Sequence, residues 1–429
     1  MRVSRLISTI AIAGLVQVAG ATAVAQAEPD IFGGFYTPPA DIAADAGTVL
    51  KTQSMPLYAS IPGLNGSWPG EGQRIMYTSA LQDGTPTAVT GSFVEPAVPW
   101  RGEGDRPTIV IGPGTVGQGD QCAPSRNFST ALRVTDDPLS ASINYEVIAA
   151  DRWLAEGARI FMTDYIGLGT PGVHTYVNRA EEAHAMLDGA RAALSLGGDP
   201  DAPIAFWGYS QGGGAAAAAA ELQPTYAPEL NVKGTFAGAP PADLLDVLPA
   251  IDDNLIAGAI GYALNGFVER NSELAEIVDG RVTAHGRSVL KQISTECIGD
   301  SILNHPFLST ADLTKDGRSM LDNLKGIPAA LAILEDQEIG KLKPTSPVLV
   351  TNGLDDDVIP YAQARRMARS WCDQGATVEF RSNGIPPILS GTAVNHALPM
   401  ITDGVLPGGG VDYLLDRFAG KPLSGCQFD

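Results

Sequence analysis

The chain has 429 residues, of which 44% are hydrophobic and 18% charged. That is ample apolar material for a large core, and it excludes disorder over most of the length. Lys and Arg number 28 against 48 Asp and Glu, and a net charge of -20 repels phosphate backbones, so no nucleic-acid partner is expected.

The first element is a leader. Arg2 and Arg5 precede an apolar run from Leu6 to Val18, and small residues lead to Ala25-Gln26-Ala27. A positive start, an apolar middle and an A-x-A end predict a secretory signal peptide over 1–27, leaving 28–429 as the mature, secreted chain. The run is short for a bilayer span. A second apolar stretch, Leu255 to Val268, holds Asn265 and several Gly, and reads as a packed helix.

From 28 to about 105 the chain is Pro- and Gly-rich, with alternating pieces at 73–77 and 89–94 that read as antiparallel edge strands. The pattern then changes. Short apolar runs at 108–111, 159–162, 203–207 and 347–350 read as strands buried on both faces. Helical stretches lie between them, at Ala180 to Leu196 and Gly212 to Leu222. Glu181 and Glu182 stand in the first turn of the earlier one, where the helix dipole favours them. Strand and helix in alternation predict an α/β fold with a mostly parallel central sheet. One block interrupts it. From about 241 to 339 the periodicity is helical, which predicts an inserted helical cap.

Gly208-Tyr209-Ser210-Gln211-Gly212 is a G-x-S-x-G nucleophile elbow, with an apolar strand before it and a helix after. The serine must stand on a sharp turn, and large flanking side chains would clash there. A serine needs a base, and the base an orienting acid. In the chain order of an α/β-hydrolase both follow the serine. His174 and His184 precede it, and His285 and His305 fall in the helical block as surface residues, which leaves His396 in a loop-like context. Asp355, Asp356 and Asp357 follow the strand at 348–350. Asp356 has the best spacing for the acid, and its two neighbours remain open. The oxyanion of an acyl-transfer intermediate needs donors. The Gln211 N–H is one, and the Gly-rich loop from Gly112 to Gly119 offers the Thr115 or Val116 N–H as the other. That loop lacks the spacing of a Walker or dinucleotide site.

Cys122, Cys297, Cys372 and Cys426 lie far apart without C-x-x-C spacing, so two disulfides are expected, with three connectivities open, and no zinc site. No metal or organic cofactor is expected.

Several ordered blocks resemble the secretory lipase family of α/β-hydrolases. They are Cys122 to Ser125, Asp164 to Gly169, Gly208 to Gly213, Tyr226 to Asn231, and Asp356 through Tyr361. The elbow alone is weakly specific, but the ordered set is highly specific. The resemblance implies a catalytic triad of Ser210, Asp356 and His396, a cap over the site, and disulfides pairing Cys122 with Cys297 and Cys372 with Cys426. In one respect the chain departs from the family's yeast structural type, which uses an aspartate side chain in its oxyanion hole. Val116 stands there here, and the resemblance to bacterial members with a Gly-Thr loop favours backbone N–H groups.

The expected activity is that of a secreted serine carboxylic ester hydrolase, foremost a lipase acting on acylglycerols or other acyl esters through an acyl-enzyme. An acyltransferase using the same triad is the first rival, and a non-catalytic cell-wall or binding protein on a hydrolase fold is the second. Expected partners are lipid or small ester substrates, with transient contact to a lipid surface and a monomeric state.

Overall fold

The computed structural model describes residues 31–57, 69–136 and 139–429, so the predicted leader lies outside the described residues. Residues 31–34 form a turn that belongs to a separate unit from 35–429, and the account below concerns the latter.

The strands, in chain order, are β1 (Val49–Met55), β2 (Gly70–Ala80), β3 (Pro86–Pro96), β4 (Thr108–Gly112), β5 (Leu132–Asp136), β6 (Leu139–Ile143), β7 (Arg159–Thr163), β8 (Ile204–Tyr209), β9 (Val232–Gly238), β10 (Val348–Gly353), β11 (Val378–Asn383) and β12 (Cys426–Phe428). All but β5 and β6 form a 10-stranded sheet of order β1-β2-β3-β7-β4-β8-β9-β10-β11-β12. The first three strands are antiparallel, and β3 meets β7 antiparallel. From β7 onward every neighbour is parallel. The parallel part needs cover on both faces, which explains why β4, β8 and β10 are buried throughout and mostly apolar.

The helices are α1 (Pro124–Asn127), α2 (Val147–Glu156), α3 (Arg179–Gly197), α4 (Gln211–Tyr226), α5 (Leu244–Ile251), α6 (Gly258–Arg270), α7 (Ser272–Arg281), α8 (Ala284–Ile293), α9 (Ile298–Asn304), α10 (Met320–Leu324), α11 (Pro328–Asp336), α12 (Tyr361–Asp373), α13 (Val394–Pro399) and α14 (Gly410–Phe418). One face of the sheet packs Tyr77 and Phe161 against α3, the alanines of α4 and Trp371 of α12. The other packs Trp207 and Phe236 against Trp153 of α2 and Leu414 of α14. Small side chains let α4 lie close to the sheet. Helix α3 starts at Asn178, whose side chain accepts from the Glu181 N–H.

Helices α5 to α11 all lie between β9 and β10. They form an apolar cluster of their own around Leu264, Phe267, Leu274, Met320 and Leu324. Arg270 of α6 reaches back to Glu181 of α3 at 2.8 Å and ties this block to the sheet layer. Disulfides join Cys122 to Cys297 and Cys372 to Cys426. The first links the loop after β4 to the start of α9. Among the described residues, no helix is long and apolar enough to cross a membrane.

Candidate active site

The turn between β8 and α4 carries Ser210. Its φ of 59° is in the left-handed region, a strained setting for a residue with a side chain. Close approach explains the glycines. A Cβ on Gly208 would lie 1.9 Å from the carbonyl oxygen of Gly212, and one on Gly212 would lie 1.9 Å from that of Gly112. A Cβ on Gly213 would meet the Gly238 oxygen at 2.0 Å, so the first turn of α4 is wedged between β4 and β9. The Ser210 N–H still donates to the Gly238 carbonyl at 2.9 Å. The turn is therefore pinned despite its strain.

His396 Nε2 lies 2.8 Å from Ser210 Oγ. Its Nδ1 lies 2.9 Å from Asp356 Oδ2 and 3.1 Å from Oδ1. The Asp356 side chain is fully buried, and Oδ1 accepts from the N–H groups of Val358 at 2.9 Å and Ile359 at 2.8 Å. A carboxylate held this way accepts the Nδ1 proton, which leaves Nε2 free to accept from the serine. The three consecutive aspartates separate cleanly. Asp355 is exposed. Asp357 turns away from the imidazole, and its Oδ2 accepts from the N–H groups of Thr392 and Ala393 at 3.1 and 3.0 Å. Those contacts brace the segment just ahead of His396. The histidine stands in the short helix α13, not in the loop its context suggests, and Ala393 at its start adopts a φ of 61°. Tyr209 adds a second brace by donating to the His396 carbonyl at 2.8 Å.

The other histidines lie elsewhere. His285 is exposed, as expected. His305 is not the surface residue its sequence setting suggests. Its side chain is 10% exposed and sits 3.6 Å from Glu296, because the block folds over it.

On the oxyanion side, Thr115 lines the same cavity as Ser210 and Gln211. Val116 does not. Its side chain packs around the Cys122–Cys297 disulfide, and its carbonyl accepts from the Ile298 N–H at 2.8 Å. The loop is held from behind by two residues the sequence did not single out. Tyr145 donates to the Thr115 carbonyl at 3.0 Å, and Glu146 accepts from the Gly114 N–H at 3.1 Å. Burial pushes the Glu146 carboxyl up to about 7, against the pull of that N–H.

Gln211 is anchored by its side chain. Its Nε2 lies 2.8 Å from Glu182 Oε1 and 3.0 Å from His174 Nε2. His174 Nδ1 faces the Ile166 carbonyl at 3.1 Å and so carries the proton, which makes Nε2 the acceptor. Burial pushes the His174 ring down to about 4 and the Glu182 carboxyl up to about 8. Dipole position alone does not explain Glu182, because it bonds to Gln211, the residue that follows Ser210. No local signal in the sequence pairs residues 174, 182 and 211.

A cavity of about 880 Å³, open solvent at its mouth included, runs from Ser210 into the helical block. Its walls are almost wholly apolar, with Leu244, Leu248, Phe267, Leu274, Leu324 and Leu334 among them. Among the described residues, no cluster of three or more His, Cys, Asp or Glu side chains is placed to hold a metal ion.

Comparison with known proteins places the chain in a family. The profile of the Secretory lipase family matches residues 132–425. A secreted triacylglycerol lipase of Malassezia furfur is 27% identical over 313 residues, spanning 71% of this chain and 77% of the relative. A probable inactive lipase of Mycobacterium tuberculosis is 28% identical, spanning 91% of this chain and 82% of the relative. Candida antarctica lipase A superposes with a TM-score of 0.74 at 24% identity, covering 91% of this chain and 86% of that one, a likeness of fold.

Proposed function

The chain belongs to the secretory lipase family, and from that membership we propose that it is a secreted carboxylic ester hydrolase with Ser210 as its nucleophile. One observation carries the reading. A single imidazole, His396, bridges Ser210 at 2.8 Å and the buried Asp356 at 2.9 Å, at one end of a long apolar cavity. A probable inactive lipase is among the relatives, so family membership alone does not supply the chemistry.

In the proposed reaction Ser210 Oγ attacks the ester carbonyl while His396 Nε2 takes its proton. Asp356 holds the imidazole tautomer and stabilises the imidazolium. The Gln211 and Thr115 N–H groups donate to the oxyanion, and each such donor is worth on the order of 10²–10³ in rate. The imidazolium then gives its proton to the departing alcohol oxygen, leaving an acyl-enzyme. Water, deprotonated by His396, attacks the acyl carbonyl and releases the acid. The acyl chain lies in the apolar cavity, along Leu244, Leu248 and Phe267.

The test is hydrolysis of p-nitrophenyl esters from acetate to palmitate. The wild type is expected to turn over esters, with rates that rise with chain length, and Ser210→Ala to lose about 10⁶ in kcat. Equal activity in the variant would remove Ser210 from the chemistry. Activity confined to acetate would deny the cavity its acyl-binding role.

A further inference from the structure

The hairpin of β5 and β6 is built inside out. It is a two-stranded sheet apart from the main one, with Leu132 opposite Ile143, Val134 opposite Ala141 and Asp136 opposite Leu139. Opposed residues share a face. The face carrying these pairs is the exposed one, with Leu132 50%, Val134 62%, Leu139 81% and Ile143 58% exposed, and Ala141 exposed as well. The buried face is polar, with Thr135, Ser140 and Ser142 each at most 6% exposed. Strands with one solvated face ordinarily place these two sets the other way round.

Hydrogen bonds hold the polar face down. Ser142 Oγ accepts from Asn127 Nδ2 at 2.7 Å and donates to the Cys122 carbonyl at 3.4 Å. Ser140 Oγ donates to Asp300 of α9, and the Ala141 N–H donates to the same carboxylate at 3.3 Å. The hairpin thus sits across the Cys122–Cys297 link between sheet and helical block. Tyr145 and Glu146, which hold the oxyanion loop, follow β6 directly. An isolated two-stranded hairpin is marginal in water, so its outward apolar face persists here because the inward face is bonded to a rigid base.

We propose that this outward face is a docking surface for the uncharged interface of an acylglycerol droplet, placing the active site at its insoluble substrate. The choice of occupant rests on the ester hydrolase reading above. Two further observations select it. The apolar strip measures roughly 17 by 10 Å on strand dimensions, far below the about 800 Å² that each partner of a stable protein pair buries. A lipid interface needs no complementary partner surface and takes apolar side chains as they come. The chain also carries a net charge of -20, and Asp136 is the one charged residue among the described residues of the outward face. Anionic surfaces would repel it, whereas a neutral one would not.

The test is flotation with triolein droplets coated in phosphatidylcholine, with all proteins carrying Ser210→Ala so that binding is read without turnover. Val134→Ser with Leu139→Ser is expected to lower the droplet-bound to free ratio by on the order of tenfold to a hundredfold. Val134→Trp is expected to raise it. With Ser210 restored, kcat/KM on dissolved p-nitrophenyl acetate is expected to stay within about twofold in each variant, since exposed sites away from the chemistry change little. Unchanged flotation in the serine variant would overturn the proposal. So would a wild-type dimer that the same substitutions turn into monomer, which would make the face a contact between two copies. A protein inactive on every ester would reject the hydrolase reading, while flotation would still report on the surface independently.

Discussion

The parallel sheet and the helical block hold similar kinds of side chain and use them differently. In the sheet, apolar residues meet one another. Trp207 packs on Phe236 with ring centroids 4.5 Å apart, and Ala215 to Ala219 of α4 have no exposure at all. In the block, α7 buries only Leu274 and α11 only Ala330, and both of these line the cavity together with Ile333 and Leu334 of α11. Close packing fixes atoms to fractions of an ångström, and incomplete packing leaves room for a ligand. Under the proposed function, the contrast gives placement of the reacting groups to the sheet and selection among substrates to the block.

The sharpest probe of that division is Asp356→Asn. Nothing in the block compensates for a wrong imidazole tautomer, so kcat is expected to fall about 10⁴-fold by the same proportion on acetate and palmitate esters. A loss that depended on chain length would break the division. Trp207→Ala comes next. It empties a core site under the elbow, and denaturant unfolding is expected to show a loss of about 3–5 kcal/mol. A stability loss under 1 kcal/mol would mean that the sheet is no better packed than the block.

Leu324→Trp tests the other side. Leu324 lines the cavity from α10, outside the segments that carry Ser210, Asp356 and His396, so long-chain ester turnover is expected to fall about tenfold to a hundredfold with acetate turnover within about twofold. Equal losses on both would show that the cavity wall also positions the chemistry.

The smallest effect is in the pH dependence of stability. Glu182 and Glu146 have folded values raised to about 8 and about 7. A raised carboxyl binds more protons folded than unfolded, so stability falls as pH climbs from the unfolded value near 4.5 to the folded one. His174, lowered to about 4, acts oppositely: stability is lost as pH falls from about 6.5 to 4. Between pH 7 and 8 Glu182 keeps the larger share of bound proton, Glu146 gives up what remains of its own, and His174 is already neutral, so Glu182 contributes the larger part of the slope. Wild-type Tm is expected to decline across that interval, and Glu182→Gln to flatten the decline. An unchanged slope would place the titration elsewhere.

Much of the frame was readable directly. The four apolar runs became β4, β7, β8 and β10, and the break in rhythm after 241 holds seven helices, because continuous apolar runs and 3.6-residue periodicity report burial locally. The elbow was equally plain, since its glycines answer to backbone contacts within one strand-turn-helix unit and its immediate neighbours. The β5–β6 hairpin was not foreseen. Its alternation is real, but alternation does not say which face turns inward.

The sequence by itself determined the order of elements, the elbow and the short list of acids and bases around it, because each of these is encoded in residues close together in the chain. Only the tertiary structure decided that Asp356 and not Asp357 faces His396, that Glu182 and His174 grip Gln211, that Glu146 holds the loop after β4, and that the hairpin shows its apolar side to water. Those choices depend on contacts between residues far apart in the chain, where burial and hydrogen-bond geometry decide among alternatives that local pattern leaves equal.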